Sequence, residues 1–132
     1  MTTSFSVRVP RARIRLSVGV TVYERKADFA AHVGPRGRHM LAACFWDAPL
    51  KGRHLASIHV PRGNISYPLL THECFHVVCR YMERLGVMAI PVVGQTNLET
   101  GDDDGPEEHT AIVLDGLVGA IHRQLLRRKL YP

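Results

Sequence analysis

Residues 66–86 read SYPLLTHECFHVVCRYMERLG, and the reading of this stretch decides the fold. Ser66 can cap a helix, Pro68 is tolerated in its first turn, and Gly86 marks where it should stop. Downstream, Val87 to Gly105 reads as a linker broken by Pro91, Gly94 and Gly101, with the acidic run Asp102-Asp103-Asp104 near its end. A second helix is expected from Pro106 towards Leu130. Upstream the pattern changes from helical to alternating. Phe5–Pro10 alternates, and Arg13–Tyr23 (RIRLSVGVTVY) carries Ile14, Leu16, Val18, Val20 and Val22 in period two. Met40–Trp46 and Leu55–Val60 read as further strands, and Ala27–Val33 as a short helix closed by Gly34-Pro35. Strands first and helices after predict an α+β domain, a small twisted sheet with helices packed on one face.

Composition bounds this reading. A chain of 132 residues with 45% hydrophobic and 22% charged residues is one globular domain. It divides into a basic, β-rich part (1–65) and a two-helix part (66–132). No apolar run is long enough to span a bilayer, and the N-terminal segment lacks the apolar core of a secretory signal. Cys44, Cys74 and Cys79 are odd in number and show no C-x-x-C spacing, which favours a reducing, cytoplasmic compartment. The net charge of +5 hides a split: residues 1–66 carry 11 Lys and Arg against 3 acids, residues 67–132 carry 6 against 9. The basic half could contact nucleic acid, although no aromatic residues interleave its arginines as a single-strand binder requires. A solvated basic face accounts for it equally well.

Within the first of the two long helices stands His72-Glu73-Cys74-Phe75-His76, an H-E-x-x-H. Histidines at i and i+4 lie on one helix face, so both imidazoles can reach one ion, expected here to be Zn2+. Glu73 is rotated by about 100° from His72, which places its carboxylate beside an ion-bound water rather than on the ion. Its expected role is general base. A zinc centre of this kind needs a third protein ligand, and no histidine stands at the positions after His76 that could supply one. The second helix opens Pro106-Glu107-Glu108-His109-Thr110-Ala111. Glu108 is favoured because a face through Ala111, Asp115 and Gly119 would point inward, with Glu107 and then His109 as rivals. Helix-dipole preference explains either glutamate in a first turn, so it does not choose between them. Asp115 is a candidate for orienting a ligand.

THECFHVV followed some thirty residues later by PEEHTA resembles the short zincin-like metallopeptidases carried by phages and prophages. It is similar, more loosely, to gluzincins. The resemblance covers about residues 55–125. It implies a minimal zincin-like fold, a zinc-dependent peptidase acting on a peptide or protein substrate, His72, His76 and Glu108 as ligands, and Glu73 as the catalytic base. The strand before the active helix would bind substrate by main-chain pairing, a role that falls to Ser57, Ile58 and His59 within Leu55–Val60. A phage structural or accessory role without proteolysis, in the host cytoplasm or the virion, is the alternative the resemblance carries. Two departures stand out. Larger gluzincins place an aspartate four residues after the ligand glutamate, where this chain has Ile112 or Ala111, and no oxyanion-stabilising residue is identifiable.

Overall fold

A computed structural model describes residues 1–46, 52–86 and 106–132, the side chains of residues 38, 106 and 107 excepted. The expected linker of residues 87–105, with its acidic run, therefore lies outside the described residues. Four strands form one mixed sheet: β1 (Thr2–Arg8), β2 (Ser17–Tyr23), β3 (Ala43–Phe45) and β4 (His54–Pro61), in the order β1-β2-β4-β3. β1 and β2 are an antiparallel hairpin, β2 and β4 run parallel, and β3 runs antiparallel to β4. Three helices complete the α+β fold: α1 (Lys26–Val33), α2 (Tyr67–Arg84) and α3 (Pro106–Arg127). None of the described helices is long and apolar enough to cross a membrane.

The period-two apolar run builds the main core. Val18, Val20 and Val22 of β2 join Phe5, Val7, Ala56, Ile58 and Val60 on one sheet face. Against them pack Leu70, Cys74, Val77, Val78 and Tyr81 of α2, and Val113, Leu117, Ile121 and Leu125 of α3. Each large side chain so buried contributes about 1.5–3 kcal/mol relative to exposure. The expectation that every helix would share one face is corrected by α1, which covers the other side. There Phe29 packs edge-on against Tyr23, ring centroids 5.8 Å apart, together with Ala43. A connection between the parallel strands β2 and β4 has to cross over a face, and α1 lies within it.

β2 begins four residues later than the alternation suggests. Arg11 sits in the left-handed region (φ 60°) within the hairpin turn, and the backbone N–H of Arg13 leaves the ladder to donate to the Tyr81 hydroxyl at 2.8 Å. That bond ties the hairpin to α2. The two long helices run antiparallel, since Tyr67 meets the ring of His122 near one end and Tyr81 meets His109 near the other.

Candidate functional site

The local sequence starts α2 as expected. Ser66 Oγ accepts the backbone N–H of Leu69 at 3.2 Å, and Pro68 occupies the first turn. The helix then presents His72 and His76 to solvent one turn apart, with their Nε2 atoms 3.2 Å from each other. Glu73, about 100° further round the helix, is 6% exposed and shares a pocket wall with His72. Burial raises the Glu73 pKa above the ordinary glutamate value, and the neighbouring His76 and His72 offset part of that rise. A carboxyl so placed accepts a proton more readily than an exposed one, as a general base must.

Two thiols flank the carboxyl. Cys44 of β3 is pushed up to about 12 by burial and by the Glu73 charge, with Arg80 pulling the other way. Cys74 reaches about 12 through burial, Cys44 and Glu73. Neither is a thiolate at neutral pH, so cysteine nucleophilic chemistry is not what this site offers. All three cysteines are free.

The imidazole pair has the spacing that an ion would require. Two nitrogens bound tetrahedrally at about 2.0–2.1 Å from zinc stand about 3.3–3.4 Å apart. The third ligand is where the expectation is corrected. Among the described residues no group of three or more His, Cys, Asp and Glu side chains is placed to hold a metal ion. The metal-binding centre expected of a metallopeptidase, His72 with His76 and Glu108, is therefore not assembled.

Helix phase and register give the reason. The buried stripe of α3 runs through Thr110, Val113, Leu117, Ile121 and Leu125, whereas Ala111 and Asp115 are exposed. Glu108 stands about 180° from Leu117 on a helix of 3.6 residues per turn, so it is off the packed face. The start of α3 is also docked too far along α2. Tyr81, fully buried, accepts Arg13 N–H and shares a hydrogen bond with His109 Nε2, 2.8 Å away. Tyr81 lies five residues beyond His76, about 7.5 Å by helical rise. His109 is thus a partner of Tyr81, its pKa lowered by burial and by Arg13. The side chain of the rival Glu107 lies outside the described residues.

The substrate strand is corrected too. β4 is interior: Ser57, Ile58 and His59 pair with Gly19, Val20 and Thr21 on one side and with Phe45, Cys44 and Ala43 on the other. Their backbone is not open to a peptide. Ile58 is core, Ser57 Oγ bonds His54 Nε2 at 3.0 Å, and His59 Nδ1 bonds the Tyr23 hydroxyl at 2.8 Å on the α1 face. Burial, then His32 stacked 4.7 Å away, lowers the His59 pKa.

The strand beyond β4 is β3, and it stands beside α2. Before it, Met40, Leu41 and Ala42 face Ser66, Pro68, Leu69, His72 and Glu73 across a mostly apolar pocket of about 560 Å³. The sequence reading did not single out Met40–Ala42. Their signal is an apolar Met-Leu-Ala-Ala run whose members include the exposed side chains Met40 and Leu41. No family model, curated protein or solved structure matches this chain, so the zincin-like resemblance and the phage assignment gain no relative in their support.

Proposed function

We propose that this chain is a peptide hydrolase of the H-E-x-x-H type, with Glu73 as general base and the pocket beside β3 as the bed for the substrate. The observation that carries the reading is the placing of a buried, proton-accepting carboxyl on the wall of an apolar pocket, next to two imidazoles whose Nε2 atoms converge. Peptide segments bind such places by adding main-chain hydrogen bonds to a strand while their side chains fill apolar hollows. Here the strand is β3, whose partner among the described residues is β4 alone.

The division of labour follows from the chain's own groups. His72 and His76 are two donors that a zinc ion would use, with no third placed beside them among the described residues; an ion bound there would supply an acidified water. Glu73 would accept a proton from the attacking water and hand it to the leaving amine. Met40, Leu41 and Leu69 exclude bulk water from one side of the reacting bond. The test is direct. Incubation of the zinc-supplemented protein with a mixture of unfolded proteins should generate new peptide termini, read by mass spectrometry, and His76→Ala should generate none. An absence of new termini with the wild type retires the reading.

A second contact, with a polyanion, has an observation of its own. Arg8, Arg15 and Arg53 line one hollow of about 280 Å³ with Ser6 and Ser17, on the basic half of the chain. A nucleic-acid contact there should weaken steeply as salt is raised.

A further inference from the structure

β3 and α2 run alongside each other, and two features mark successive points along the line between them. Residues 40–42 share the pocket with Ser66–Glu73, and Trp46, just after β3, lies against Arg80. Cys44 of β3 lies between them along the strand. The apolar pocket, with Glu73 in its wall, and the tryptophan–arginine stack thus lie one after the other along β3 and α2. Glu73 and Arg80 are seven residues apart, about 10.5 Å by helical rise. Three residues of extended peptide cover about the same length.

Arg80 is unusual in its hydrogen bonding. Its Nη1 donates to Glu83 at 2.6 Å, and its guanidinium lies over the Trp46 ring, 4.4 Å from the centroid. Its Nε is buried and has no hydrogen-bond partner among the described residues. Buried N–H groups are satisfied in the great majority of cases, because leaving one unpaired forfeits its hydration without return. The Nε–Nη2 edge of a guanidinium is a fork that matches the two oxygens of a carboxylate. Glu83 occupies Nη1 and leaves Nε without a partner among the described residues. The Trp46 ring, 43% exposed, supplies the face on which the plane is held.

We infer that Arg80, held on Trp46, is a carboxylate-recognising residue of the peptide site. The substrate class is then peptides carrying a carboxylate about three residues from the bond above Glu73. This rests on the reading of the pocket beside β3 as a peptide bed, and it deepens that reading by naming the substrate's chemistry. The carboxylate has two sources, an acidic side chain or a peptide C-terminus. A carboxylate that pairs with Nε lands beside the Trp46 ring. Trp46 is the one tryptophan of the chain, which makes its fluorescence a reporter of this event.

The experiment is a fluorescence titration of the full chain in chelator, which holds zinc-dependent cleavage off. The probes are the acetylated and amidated pentapeptide Leu-Ala-Ala-Ala-Glu and its Gln counterpart, and the acetylated tetrapeptide Leu-Ala-Ala-Ala with a free or an amidated C-terminus. At least one acid form should bind about tenfold or more tightly than its amide, as expected when a charge-assisted pair is gained. Whichever pair shows the difference identifies the source. Arg80→Gln should erase the preference and Arg80→Lys should keep part of it. Equal titration curves for both acid–amide pairs with the wild type, including no binding by any, overturn the inference without depending on how a variant folds. A preference that survives in Arg80→Gln overturns it as well. If the preference is present but zinc-supplemented protein cleaves nothing, the hydrolase reading fails and the carboxylate site stands.

Discussion

Glu73→Gln should move activity and stability in opposite directions. The carboxyl is 6% exposed, and burial is the largest influence on it, raising its pKa in the folded state. In the unfolded chain it titrates near the ordinary value of about 4.3. Below that pH the carboxyl is neutral in both states, and the Gln variant, its neutral isostere, should be about as stable as the wild type. As pH rises, the unfolded chain ionises first, so the wild type loses stability until the folded carboxyl also ionises. Above the raised folded value the full cost is present. For every pH unit that separates the two titrations, it amounts to about 1.4 kcal/mol. Glu73→Gln should therefore be more stable than the wild type at pH 7 and level with it near pH 3.5. Urea unfolding in chelator across that range measures the difference. Hydrolysis should fall by about 10²–10⁴-fold, the usual worth of a positioned general base. A variant less stable than the wild type at pH 7, or a difference that does not change with pH, would refute the argument that burial sets the carboxyl's properties.

Other consequences are simpler to state. His72→Ala and His76→Ala should each weaken zinc uptake in a calorimetric titration, whereas Glu108→Ala should leave it unchanged, because that residue stands off the packed face of α3 and joins no metal-holding group. Tyr81→Phe removes a hydroxyl bonded to both Arg13 N–H and His109 Nε2, and chemical denaturation should show a loss of about 1–3 kcal/mol. Ser66→Ala should cost about 1 kcal/mol by freeing the Leu69 N–H at the start of α2.

Much of the fold was legible because local signals agreed with the packing. Ser66 and Pro68 start α2 as their chemistry dictates, and Val18, Val20 and Val22 alternate because one face of β2 is core. The position of β4 was not legible. An alternating run such as Leu55–Val60 reads the same for an edge strand as for an interior one, and the strand that flanks it, β3, has only three residues. The phase of α3 was legible but outweighed. Val113, Leu117, Ile121 and Leu125 recur every four residues and mark the buried stripe, yet Ala111, Asp115 and Gly119 suggested an inward face through Glu108. The close approach on α3 is at Gly116, which meets Pro10 of the hairpin turn, where an added Cβ would lie 3.3 Å from the proline ring. The histidine pair and Glu73 were legible because i, i+4 spacing is fixed by helix geometry alone. Arg80 and Trp46 were not, since their meeting joins a strand end to a helix across 34 residues of chain.

The account's central claim is that Glu73 performs acid–base chemistry on a peptide lying beside β3. The measurement that tests it most directly is the cleavage rate of an internally quenched peptide by the zinc-supplemented wild type and by Glu73→Gln, with binding of the same peptide followed through Trp46. The account predicts cleavage by the wild type, and binding without cleavage by the variant. Undiminished cleavage by Glu73→Gln, or a wild type that binds the peptide and never cleaves it, would contradict it.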